Sequence, residues 1–360
     1  MSLTNHKQRE SSIELLRIIS MFFILTYHFC SYLKNVDVDN RFVLCGYSIL
    51  HIGVPVFILI SGYFTIKLKL SKVVYLYLYL LFWYIVSYLF GVFVLSESFT
   101  WQELLKQFLV FTYTQGRWFV PFYFCLMLLS SVIGGGNLSK KNYSLLILVL
   151  SLYLVYVGLV RRGDIVNDGK SLFYFVYMYL LGGYFRVMSD VLVNKSNAKW
   201  YGLSWGVLIL FIILITLTIP HQYAKAFRGI AFAYDGPLLL ISACLALLLF
   251  LCMSFRLNWV NSISEGAFAV YLFHENIHVS GFYKNIVLRI FTHSDGALTI
   301  SLLTLFAILI MFGVLAVDLI IRKPIQSLIQ PRLERFIGFV FRHLDYKINS
   351  YIQHENNIIS

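Results

Sequence analysis

Charge is scarce in this sequence. Of 360 residues only 13% are Asp, Glu, Lys or Arg, against roughly 25% in soluble domains, while 59% are hydrophobic. A water-soluble surface needs charge on about a quarter to a third of its positions, so a soluble fold of this length is excluded. Paired cysteine is missing too. Cys30, Cys45, Cys125, Cys244 and Cys252 are odd in number, lie in or beside apolar runs and show no C-x-x-C spacing, which speaks against a disulfide framework or a cysteine-bound zinc. There is no Pro/Gly/Ser-rich linker and no repeat of fixed period, so one membrane domain is expected. The first apolar run holds Arg17 and His28 and has no small-residue cleavage site after Cys30; it reads as a span, not a leader. The net charge of +12 comes without a basic groove or tract. Anionic lipid headgroups account for spread cations, and nucleic acid is not an expected partner.

What the sequence does have is long apolar runs. A helix needs about 20 residues to cross the hydrocarbon core. Ten runs qualify: 13–33, 46–66, 73–95, 117–135, 143–160, 171–188, 200–219, 230–253, 262–281 and 297–320. The expected class is all-α, a polytopic membrane protein with about ten transmembrane helices and both termini on one side. Cations at Lys7 and Arg9, at Lys67, Lys69 and Lys72, at Lys140 and Lys141, and through the tail assign that side to the cytoplasm of a plasma membrane. Segments 97–116 and 282–292 read as interfacial amphipathic helices. Residues 1–321 form the membrane domain, and 322–360 a basic amphipathic tail along the inner leaflet, with Arg332, Arg335, Arg342 and Lys347. Many of the 25 tyrosines and 32 phenylalanines belong to interfacial belts.

Ionisable side chains inside a bilayer are costly and face a bundle interior or a wet cavity. Arg17 and His28 are 11 apart, close to three helical turns, which returns both to one face about 16 Å apart along the axis. A bland reading has Arg17 snorkelling to headgroups and His28 as a satisfied polar residue. A functional one has the imidazole taking a proton from a hydroxyl or carrying an acyl group, chemistry its ordinary pKa suits. His274, Glu275 and His278 spell H-E-x-x-H, a zinc-protease pattern that needs a third ligand and water access. Asp318 stands just before Arg322 and Lys323, where a headgroup-level ion pair is expected, and Asp235 in Tyr234-Asp235-Gly236-Pro237 is open to helix capping or acceptor binding.

Four stretches together resemble the acyltransferase 3 family of integral-membrane acyltransferases. They are Arg17 with His28 in the first span, Gly53-Val54-Pro55 through Ser61-Gly62-Tyr63-Phe64, Arg117-Trp118-Phe119, and Ser264 through Tyr271-Leu272-Phe273-His274. The resemblance implies transfer of an acyl group, usually acetyl from acetyl-CoA, to a hydroxyl of a bacterial cell-surface or lipid-linked polysaccharide. It makes Arg17 and His28 the essential pair, with His28 as general base or acyl carrier. Many members carry R-x-x-R after the second helix, where this chain offers Lys67, Lys69 and Lys72. An ammonium grips phosphate as a point charge, without the guanidinium fork. On the same reading Ser61 and Tyr271 support a developing oxyanion, Glu275 and His274 support the imidazole, and Asp235 and Trp118 lie on the acceptor side. No metal and no bound cofactor is required, the acyl-CoA being a substrate. The alternative is a transporter or flippase for lipid-linked saccharides, which would use the same residues as a pathway without consuming acyl-CoA; the paired, Gly/Pro-broken helices usual in such folds are not found.

Overall fold

The computed structural model describes residues 10–37, 40–112, 118–133, 139–160 (157–160 in backbone only), 169–219 and 233–340. Lys7, Arg9, Arg117 and the tail beyond residue 340 lie outside the described residues. In chain order the helices are α1 Ser11–Lys34, α2 Arg41–Leu50, α3 Gly53–Phe64, α4 Leu70–Val94, α5 Trp101–Lys106, α6 Phe119–Ile133, α7 Lys140–Val160 and α8 Leu172–Val187. They continue as α9 Ser189–Leu192, α10 Lys195–Thr218, α11 Pro237–Cys252, α12 Asn258–Ser264, α13 Ala267–His274, α14 Ile277–His293 and α15 Gly296–Val317. A π-helical turn, Asp318–Arg322, joins α15 to a further helix over 323–340.

Among the described residues, five segments are long and apolar enough to cross a membrane: Ser11–Lys34, Arg41–Phe64, Leu70–Val94, Lys195–Thr218 and Gly296–Val340. Three shorter apolar helices join them, Phe119–Ile133, Leu172–Val187 and Pro237–Cys252. The protein is an all-helical, multi-pass membrane protein. Its lipid-facing surfaces are apolar, as where α10 exposes Leu203, Val207, Leu210 and Leu214.

α1 is the hub, touching α2, α3, α11, α12, α13, α14 and α15. α3 and α8 pack backbone to backbone because glycine allows it. A Cβ at Gly62 would lie 2.0 Å from the Tyr179 carbonyl oxygen, and one at Gly182 2.2 Å from that of Leu59.

Two expectations change. The run 262–281 is not one continuous span but parts of α12, α13 and α14. At Gly266 the chain presses on Asp318, whose Oδ2 would stand 2.9 Å from any Cβ. At Asn276 the backbone turns extended and the side chain accepts the His278 amide, starting a new helix. Residues 282–292 are likewise no separate helix. They belong to α14, whose Val279, Tyr283 and Val287 recur at four-residue spacing, are buried, and hold it against α1, α4 and α15. Within 97–116, the helix covers only Trp101–Lys106 among the described residues, capped by Thr100.

Candidate functional site

The helix break after α13 frees a carboxylate and points it at α1. Nδ1 of His28 lies 2.7 Å from Glu275 Oε1 and 2.8 Å from His274 Nε2. His274 Nδ1 lies 2.5 Å from the Val270 carbonyl, which can only accept, so that nitrogen carries the proton and Nε2 is an acceptor. The proton between His28 and Glu275 therefore sits on His28 Nδ1, shared by both acceptors. In the neutral imidazole that leaves Nε2 with the lone pair, and Nε2 makes no hydrogen bond among the described residues. Tyr32, one turn along α1, donates to the same Glu275 oxygen at 3.1 Å. A carboxylate fixing one ring nitrogen so that the other is a base is the arrangement general-base chemistry needs. The same three side chains offer ligand atoms within 4.8 Å of one another, a spacing that could also hold a small cation.

The letters H-E-x-x-H do not make a two-histidine face. The break at Glu275–Asn276 separates His274 from His278, and His278 turns away to Glu97, 2.7 Å from its Nδ1.

An aromatic wall runs from His28 towards the expected acceptor side. Tyr27 stacks on His51 at 4.2 Å between centroids, His51 meets Tyr234 at 3.8 Å, and Tyr234 meets Trp118 at 5.5 Å. Lys170 lies over the Trp118 ring and Lys34 over Tyr47. Asp235 is buried beside Tyr234, two residues before the proline that opens α11.

Arg17 is held by both oxygens of Glu14, at 2.8 and 2.9 Å, and Glu14 also accepts from Ser264 at 2.6 Å. The Arg17 side chain stays 30% exposed, so the guanidinium is anchored with donors to spare. Lys67, Lys69 and Lys72 are exposed around the irregular segment 65–69. That segment is pinned: Arg186 Nη1 donates to Thr65 Oγ1 at 2.6 Å and the Ile66 amide to the Tyr179 hydroxyl. Arg186 brings a guanidinium to the loop that lacks its own. Nothing in the sequence marks Arg186 for this loop, and nothing in the spacing between positions 65 and 186 announces the contact. Glu14 and Tyr32 were equally unmarked, although each follows helical spacing from Arg17 and His28.

Ser61 and Tyr271 do not reach His28 by any hydrogen bond described. The Ser61 hydroxyl donates to the Phe57 carbonyl and meets the Tyr123 hydroxyl. The Tyr271 ring abuts His274 edge-on, with centroids 6.2 Å apart. Asp318 does pair with Arg322, and both are buried inside the protein, with Trp83 Nε1 donating to Asp318 at 3.0 Å.

Fold and cluster together define a multi-pass membrane protein with a histidine–carboxylate cluster set inside its bundle. The chain belongs to the acyltransferase 3 family, whose acyltransferase-domain model matches residues 10–322. It is therefore a membrane acyltransferase. Neither the curated proteins nor the solved structures include a match to it.

Proposed function

We propose that this protein is an O-acetyltransferase that moves acetyl from cytoplasmic acetyl-CoA to a hydroxyl of a cell-surface or lipid-linked polysaccharide. Both termini are cytoplasmic on this reading. The observation that carries it is the His28 imidazole, fixed through Nδ1 by Glu275 and His274 and left open at Nε2.

In the reaction the CoA phosphates rest on Lys67, Lys69, Lys72 and Arg186, and the arm reaches past Arg17 towards His28. His28 Nε2 takes the proton from the sugar hydroxyl as its oxygen attacks the thioester carbonyl. The C–O bond forms, the C–S bond breaks, and the imidazolium returns the proton to the departing thiolate. Glu275 stabilises the imidazolium between these steps. Trp118, Asp235 and the aromatic wall line the acceptor's approach, ring faces being suited to the apolar face of a sugar.

The test is transfer of labelled acetyl from acetyl-CoA to the saccharide fraction in membrane vesicles of the producing cell. Transfer should fall by about 10²–10⁴-fold in His28→Ala. Unchanged acetylation with the variant present in the membrane would show the mechanism to be wrong. Movement of saccharide without release of CoA thiol would mark a transporter instead.

A further inference from the structure

Next to the histidine cluster lies a small cavity of about 10 Å³, room for one water- or methyl-sized group. The two helices that carry the histidines wall it, α1 through Met21 and Ile24 and α13 through Phe268 and Tyr271. Ile24 is four residues before His28, and Tyr271 three before His274. Each therefore lies on its histidine's helix face about one turn, roughly 5–6 Å, away. The rest of its lining comes from Val54 and Phe57 of α3 and from Phe119 of α6. The wall is continuous with the cluster. Tyr271 stacks with Phe268 at 5.8 Å, meets Phe119 at 5.8 Å and abuts His274 at 6.2 Å.

Chemistry separates the possible contents. A pantetheine arm carries two amides, and amides buried among ring faces and methyl groups would be left without partners. A hydrocarbon end loses nothing there and gains by leaving water. On the reading above the donor's acyl group is delivered to His28, about one helical turn along α1 from this cavity.

Resting on the acyl-CoA reading above, we propose that this cavity receives the alkyl end of the transferred acyl group. Its volume then sets the length limit, so acetyl fits and each added methylene must displace a packed ring. Steric selection of this kind discriminates by about 10–200-fold per methylene. Phe268, Ile24 and Val54 are specificity-determining residues that touch neither the imidazole nitrogens nor the CoA phosphates.

The experiment compares labelled acetyl-, propionyl- and butyryl-CoA as donors to the saccharide fraction, using membrane vesicles that contain the full-length protein. Wild type should use propionyl at less than about one-tenth of the acetyl rate. Phe268→Ala should raise the propionyl-to-acetyl ratio about ten-fold or more, and Val54→Leu should slow even acetyl. Ile24→Val, a one-methylene enlargement, carries the same test should Phe268→Ala fail to accumulate, with a smaller rise in the ratio. Transfer with an unchanged ratio in the enlarged variants overturns the cavity assignment alone. A uniform rise for all donors overturns it as well, marking the cavity as a passage. No transfer by wild type from any donor overturns the acyl-CoA reading, and this proposal with it.

Discussion

Two groups of ionisable side chains sit inside this bundle, and they are built oppositely. Around Asp318 valences are matched. Arg322 donates from Nε and Nη2 to the two carboxylate oxygens, Trp83 adds a third donor, and Arg322 Nη1 goes to Gln326, which in turn donates to the Tyr75 carbonyl. The guanidinium also lies 4.3 Å from the centre of the Tyr79 ring. Around His28 the matching stops short: the side chains of His28 and Glu275 are 16% and 24% exposed, and a ring nitrogen is left over. A closed cluster can only hold helices together. One with a spare lone pair beside water can do chemistry.

Breaking the closed cluster should give the largest effect on stability. Arg322→Ala leaves Asp318 charged and unpaired at zero exposure, which costs about 3–5 kcal/mol. Replacing both partners, Asp318→Leu with Arg322→Met, should restore most of that loss or exceed wild type. Thermal unfolding in detergent checks both. A double variant as unstable as the single one would mean that the pair's charge, not its matching, is what the fold uses.

The same loss of charge in the open cluster should move a different readout. Glu275→Gln keeps the shape but removes the carboxylate that holds His28 Nδ1–H. Acyl transfer should fall on the order of 10²-fold, equivalent to about 2.7 kcal/mol of barrier, with the unfolding temperature nearly unchanged. Matched falls in stability and rate would erase the contrast between the clusters.

The sequence makes one half of this contrast readable. Arg17 and His28 share a face by spacing, and Asp318 and Arg322 meet because they are one helical turn apart. What spacing cannot carry is depth and long-range company. The helix runs on to residue 340, past the end of the apolar run at 320, and there Asp318 and Arg322 turn inward while Ile320 and Ile321 stay exposed. Glu275 faces His28 only because Asn276 stops one helix and starts another, and that break hides inside an apolar segment that reads as continuous. Gly266 gives the other half of the interruption, through a close approach to Asp318 from a helix about fifty residues on.

The exposed cations make the mildest prediction and draw the outer edge of the comparison. Lys67, Lys69 and Lys72 are solvent-facing, so each can contribute only about 0–1 kcal/mol to gripping a phosphate, screened by salt. Substituting all three by alanine should raise the KM for acetyl-CoA several-fold and leave kcat unchanged, since uniform binding is lost without touching the transition state. Arg186 differs from them by its hydrogen bond to Thr65, which fixes the loop. Arg186→Lys should therefore keep the charge and lose part of the placement, with a KM between those of wild type and Arg186→Ala. Added salt should raise the wild-type KM towards that of the triple variant. If kcat fell along with these changes, the loop would be positioning the thioester at His28 and not merely holding phosphate, and the line between the open cluster and its surroundings would have to be drawn further out.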